Sequence, residues 1–390
     1  MRAARRRSVG CAVLAGVVLA AGTVMGQVPE GATLSGEEDH PTIVLPEPGP
    51  HWVYIQDLVF PHLIASKSYV LDGDTLNILG MFNTGYLPNQ VLSHDKSALY
   101  VAETYWSKGF RGERSDMVTV YDPKTLEITD EIPLPQGRFL IVTKKWNAGL
   151  TADGRYLLSY NMEPATSISV VDVKSKKYVG EVEIPGCGLV FPTGNRSFVT
   201  VCPDGSFVSA TFDETGQATL TEGEPWFDGE NDPVFEHAAV HRPSGQAFFI
   251  SYDGWVYPVT LKDEKATVGD RWRMQADEED MKWRPGGWQL AAFHAPTHRL
   301  FVLMHEGGKW THKVAGEEIW VFDTETKQRI HRLHLPGHRF GVAVTQDEQP
   351  LLFALSETAS VSVFDATTWE HKGEREGLGE SLYIMSTFGE

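Results

Sequence analysis

The sequence is poor in cysteine and in positive charge, and after residue 26 it has no long apolar run. Three cysteines in 390 residues, with no C-x-x-C pair and no C-x-x-C-H, exclude a c-type haem attachment, a zinc ribbon and a redox dithiol. Lys and Arg number 34 against 52 Asp and Glu, a formal net charge of −18, which excludes the basic footprint of a nucleic-acid or anionic-membrane binder. The fourteen histidines follow no H-E-x-x-H spacing, and there is neither a G-x-S-x-G elbow nor a phosphate-cradling loop with its lysine. His294 and His298 are spaced i, i+4, but Pro296 between them argues against a shared helical face, so they read as turn histidines. No catalytic, cofactor-binding or metal-binding residue is therefore assigned on this chain.

Arg2, Arg5, Arg6 and Arg7, an apolar run from Val9 to about Val24 and the small residues Ala20, Ala21, Gly22 and Gly26 read as a secretory signal peptide over residues 1–26. Cleavage is expected near Gly26–Gln27. Cys11 precedes most of the apolar run, against a lipoprotein site. Processing removes four arginines and no acids, so the mature charge becomes −22. It leaves Cys187 and Cys202, which flank a turn-like stretch between two apolar runs. In an oxidising compartment two such cysteines are most simply a disulfide across a hairpin. Residues 27–50, with Pro29, Pro41, Pro46, Pro48 and Pro50 and the acids Glu37, Glu38 and Asp39, read as an extended arm.

What the chain does have is repetition. A short strand ending at an Asp recurs, with polar turn residues and a β-rich segment after it: Asp72, Asp122, Asp172, Asp213, Asp263, Asp323 and Asp365, at steps of 50, 50, 41, 50, 60 and 42 residues. Between most of them a second turn leads into an apolar strand, as at Asp153-Gly154 and Ser244-Gly245. One such small sheet cannot bury both faces alone. Seven copies predict an all-β, seven-bladed β-propeller over residues 51–390. A helix is conceivable from Gln275 to Lys282. The eleven tryptophans fit the wedges between blades.

Several unrepeated stretches carry a resemblance. Arg111-Gly112-Glu113-Arg114-Ser115-Asp116 runs into Val118–Asp122; Trp283-Arg284-Pro285-Gly286-Gly287-Trp288 forms an aromatic Pro-Gly-Gly turn; Thr311-His312-Lys313 precedes Glu318-Ile319-Trp320-Val321; Pro164-Ala165-Thr166-Ser167-Ile168 adds a fourth. In colinear order from about Trp52 to near the C-terminus, these resemble the heavy subunits of the quinoprotein amine dehydrogenases. The Cys187/Cys202 pair sits where that family has its heavy-chain disulfide. Tyr54-Ile55-Gln56-Asp57, Phe60 and His62 look closer to the aromatic-amine branch, Gly85-Tyr86-Leu87-Pro88-Asn89 to the methylamine branch.

The resemblance implies a periplasmic heterotetramer of two heavy and two light subunits oxidising a primary amine to aldehyde and ammonia. The tryptophan tryptophylquinone cofactor and the catalytic base lie on the light subunit, and a small copper protein, amicyanin- or azurin-like, accepts the electrons. It places Tyr86 at the amine channel, with Leu87 and Asn89 beside it; the bland alternative is a loop aromatic packed on the first blade. Arg111, Arg114 and Asp116 are expected to hold a loop. No nucleic-acid or membrane partner is expected. The competing readings are a stand-alone periplasmic binding propeller without a light chain and a metal-dependent lactonase-type hydrolase.

Overall fold

Six of the seven marker aspartates perform the same task. In the computed structural model, which describes residues 44–390, each closes the third strand of its hairpin set and folds its carboxylate back onto the turn. Asp122 Oδ1 accepts the N–H groups of Lys124 and Thr125 (2.7 and 3.0 Å), and Asp323 those of Glu325 and Thr326 (3.1 and 2.7 Å). Asp72, Asp172, Asp213 and Asp365 repeat the bond. This Asx geometry satisfies turn amides that no strand reaches. Four residues after five of these aspartates the chain enters the left-handed region, at Leu76, Leu126, Lys176, Lys327 and Trp369 (φ 57 to 70°). Each such residue costs ~1–2 kcal/mol, a cost the repeated carboxylate bonds help to offset. Asp263 is different. It and Glu264 both have positive φ (55° and 64°) in a two-residue hairpin pairing Lys262 with Lys265, the primed turn that matches strand twist.

Among the described residues these turns join antiparallel strands into six sheets. Five stand as separate blades of four or five strands. The first takes Leu382–Thr387 as its inner strand beside Trp52–Asp57, Lys67–Asp72 and Ile78–Asn83, so the end of the chain closes the ring against its beginning. The second is Tyr86–Leu92, Leu99–Trp106, Arg114–Tyr121 and Ile128–Pro133; the next three start at Ala148–Leu150, Gly188–Pro192 and Ala239–His241. The last sheet has eight strands.

The all-β propeller stands, but the seven separate blades expected from the repeat do not. The finding that overturns them is the 17-residue strand Gln328–Val344, whose first half pairs with Gly316–Asp323 and whose second half pairs with Leu351–Ser356. Asp323 and Asp365 therefore mark two turns in one continuous sheet. The repeat counts turns, and a strand that serves two hairpin sets leaves the count of turns intact while reducing the count of sheets. The helix considered over 275–282 is also absent: only a 3-10 turn forms at Asp280–Lys282, leading into the strand Trp283–Pro285.

The core lies in the wedges between sheets, where aliphatic side chains and aromatic rings pack together. Phe191 meets Trp146 with its ring tilted at 5.3 Å and Phe249 edge-on at 5.0 Å, contacts worth ~0.5–1.5 kcal/mol per pair beyond area burial. The hairpin Gly188–Pro192/Ser197–Val201 brings Cys187 and Cys202 to a Cα separation of 4.2 Å, and they are bonded. The signal peptide of residues 1–26 and the arm as far as residue 43 lie outside the described residues. From residue 44 the chain packs on the first two blades: the Leu45 N–H donates to the Lys124 carbonyl (2.8 Å), and Leu45 packs on the cluster that holds Trp52, Phe82 and Tyr121.

Candidate functional site

The loop predicted to matter, residues 85–89, is held from below by buried polar groups. At Gly85 a Cβ would lie 2.5 Å from the Thr104 carbonyl oxygen, so only glycine fits. Its N–H donates to the Glu103 carboxylate at 2.6 Å, and Glu103 is fully buried. Burial raises the Glu103 pKa against hydrogen bonds and the nearby Arg138 charge, which pull it down. Tyr86 opens the inner strand of the second blade half-buried, its ring edge-on to Trp106 at 5.4 Å. Leu87, with φ 45° and 1% exposure, turns inward.

Asn89 spends its whole amide on the protein. Its Nδ2 donates to Thr143 Oγ1 (2.6 Å) and the Lys144 carbonyl (2.9 Å), and its Oδ1 accepts from Arg138 Nη2 at 2.5 Å. The same Arg138 nitrogen donates to the Leu87 carbonyl (2.6 Å), while Thr143 Oγ1 and Gln56 Nε2 donate to that of Pro88 (2.8 and 3.4 Å). Desolvation lowers the Arg138 pKa to about 10, with Asp116 and Glu103 acting the other way, so the guanidinium stays charged at neutral pH. Nothing in the sequence marks Arg138, which lies 49 residues from Asn89.

Of Arg111, Arg114 and Asp116, the three residues expected to hold a loop, the last two do so. Arg114 pairs with Asp116 (2.9 Å) and donates to the Arg138 carbonyl; Asp116 accepts from the Thr104 hydroxyl (2.6 Å). Arg111 rests over the Phe110 ring at 6.0 Å.

On the same end of the propeller, two other motifs meet. The Gly287 N–H donates to the His312 carbonyl (3.1 Å) and that of Trp288 to the Phe340 carbonyl (2.6 Å). They border a cavity of ≈ 300 Å³ walled by Phe60, Trp288, Phe340 and Tyr383. The Tyr383 ring lies 4.9 Å from Trp288 and 5.1 Å from Phe60. Burial first, then Glu236, pushes its hydroxyl pKa well up, so it remains a neutral phenol. Asp57, fully buried, accepts the N–H groups of Val59, Glu380 and Ser381 and fixes two walls. Leu63 packs against both this cluster and the one around Tyr86 and Leu87. Exposed apolar side chains crowd the loops at this end: Phe60 (48%), Phe110 (75%), Ile141 (69%), Trp310 (52%) and Val314 (48%).

Below Trp288 lies His237, 3% exposed, its Nε2 facing the Lys145 N–H at 3.1 Å and its ring 5.0 Å from the indole. Burial, with Lys144 and Lys145 nearby, lowers its pKa to about 3, so it serves as a neutral acceptor. Among the described residues no three His, Cys, Asp or Glu side chains group closely enough to hold a metal. His294 is bonded to Thr297 Oγ1 and the Asp347 carbonyl, and His298 caps a turn with φ 53°. The arrangement can bury a partner's apolar side chains and line a passage with aromatics.

The model of the family described as methylamine dehydrogenase heavy chain matches residues 50–389. The methylamine dehydrogenase heavy chain of Paracoccus versutus is 35% identical over 359 residues, covering 90% of this chain and 83% of that one. That of Methylobacillus flagellatus is 33% identical over 338 residues, 86% and 84% of the two chains. Among solved structures, a dihydro-heme d1 dehydrogenase NirN complex superposes with a TM-score of 0.57 at 15% identity, over 90% of this chain and 78% of that one. A putative 6-phosphogluconolactonase from Bacteroides fragilis gives 0.57 at 11% identity, over 86% and 97%. These two likenesses speak to the fold alone, whereas the family match and the identities carry lineage: the chain belongs to the methylamine dehydrogenase heavy chain family.

Proposed function

We propose that this chain is the heavy subunit of a periplasmic amine dehydrogenase, two heavy and two light subunits, that oxidises a primary amine to aldehyde and ammonia. The observation that carries the reading is the family match over residues 50–389. The names of the relatives favour methylamine as the substrate. The light subunit carries the tryptophan tryptophylquinone, which supplies the two-electron oxidation when present, and also the catalytic base. A small copper protein takes the electrons onward.

The heavy chain's part is positional. The aromatic end bearing Phe60, Trp288 and Tyr383 docks the light subunit, in keeping with its exposed apolar loops. Tyr86 faces the amine channel, with Leu87 and Asn89 setting its place through Arg138. The Cys187–Cys202 bond suits an oxidising compartment, and no helix among the described residues is long and apolar enough to cross a membrane.

Purification from the native periplasm tests the proposal. A small cysteine-rich partner should copurify, with a quinone absorbance that methylamine bleaches. A lone chain with no chromophore overturns it in favour of a binding propeller.

A further inference from the structure

A second cavity, of ≈ 640 Å³, opens on the side of the propeller between the outer strands of the first two blades. Its composition is one-sided. Phe82, Tyr105, Trp106 and Tyr121 supply aromatic surface, Glu113 and Glu131 supply carboxylates at an exposed rim, and no Lys, Arg or His lines it. The Phe82 and Tyr121 rings lie 4.6 Å apart, and the Tyr121 hydroxyl is fixed by the Asn83 carbonyl at 2.8 Å. Arg114 reaches 6.0 Å from the Trp106 ring and is engaged by Asp116 and the Arg138 carbonyl.

Behind this wall stands Glu103. Strand alternation puts it on the cleft side with Tyr105, and its cross-strand partner Met117 lines the cleft. It is fully buried, one oxygen accepts the Gly85 N–H, and the hydroxyls of Thr119 and Tyr105 lie beside the carboxylate. Its place behind Tyr105 ties the aromatic wall of the cleft to the loop at Gly85. We propose that this cleft binds a small organic cation, an alkylammonium, through the π faces of Tyr105 and Trp106 and the rim carboxylates Glu113 and Glu131. A hard metal ion is disfavoured, because no three carboxylates converge. A weakly hydrated ammonium suits aromatic faces in an acidic rim. The site adjoins the amine-channel loop, since Trp106 touches Tyr86 and Glu103 holds Gly85. The inference stands on the cleft's geometry and does not require the dehydrogenase reading.

The test titrates the full mature chain, free or in complex with its partner, with tetramethylammonium chloride at constant ionic strength, followed by calorimetry and tryptophan fluorescence. tert-Butanol serves as the uncharged counterpart and methylammonium as competitor. Saturable binding of the cation, displaced by methylammonium and not matched by tert-butanol, is expected. The double variant Glu113→Gln/Glu131→Gln, both at exposed positions, should weaken it ~10-fold with an unchanged circular dichroism spectrum and Tm. No saturable signal, equal binding of tert-butanol, or undiminished affinity in the double variant overturns the proposal. Amine turnover by the assembled enzyme is scored separately, so failure of the cleft site and failure of the enzymatic reading remain distinguishable.

Discussion

Arg138 Nη2 stands 2.5 Å from Asn89 Oδ1, and this contact ties the start of the second blade to the loop that enters the third. Because both side chains are buried, the bond is made away from water, and its loss leaves that nitrogen only the Leu87 carbonyl. Asn89→Ala should therefore cost ~2–3 kcal/mol, read as a lowered urea midpoint with an unchanged m-value. An unaltered midpoint would show that Asn89 is not the anchor of this loop.

Tyr86 offers a different readout. Its ring leans on Trp106 but is only half-buried, so Tyr86→Ala should lower stability by no more than ~1–2 kcal/mol. In the assembled enzyme the same variant is expected to change the KM ratio between methylamine and a bulkier amine severalfold. Identical ratios in the two proteins would remove Tyr86 from the channel.

Burial of neutral His237 makes stability depend on pH. Its pKa is about 3 in the folded protein against an ordinary 6.5, so the unfolded chain takes up the proton first. This contribution is complete above pH 6.5 and is lost as pH falls from 6.5 toward 3, at up to ~1.4 kcal/mol per unit. His237→Gln, which keeps an acceptor for the Lys145 N–H, should flatten the fall in urea midpoint between pH 6.5 and 5. An equal slope in both proteins counts against the assignment.

The Cys187–Cys202 bond closes a loop of 15 residues in sequence. Replacing both cysteines by alanine should cost ~3 kcal/mol, mainly through the freedom regained by the unfolded chain. The paired strands on either side should keep the native circular dichroism spectrum at 25 °C. A wild-type midpoint in the double variant would contradict this.

Glu318 is 2% exposed and takes hydrogen bonds from Arg332 at 2.7 and 3.0 Å and from the Trp320 indole at 2.8 Å. Glu318→Ala leaves these donors facing a void and should cost ~3–5 kcal/mol. Glu318→Gln, which keeps one acceptor, should cost clearly less in the same urea titration. Equal losses would mean that packing, not charge pairing, is what Glu318 supplies.

Local chemistry made much of this protein legible. An Asp that accepts the amides two and three residues on acts within one turn, so Asp122, Asp172, Asp323 and Asp365 announce their turns wherever they lie in the fold. Two cysteines astride a short hairpin likewise need only the hairpin. The number of sheets was not local: whether Gln328–Val344 breaks or runs on depends on the edges offered by strands on either side. Nor was the support of the candidate site, because Arg138 and Glu103 gain their roles from partners 49 and 18 residues away. The sequence by itself determined the turns, the disulfide and the family. Only the tertiary structure decided which charges are buried together, since desolvation, which makes those charges matter, exists only once the blades have closed around them.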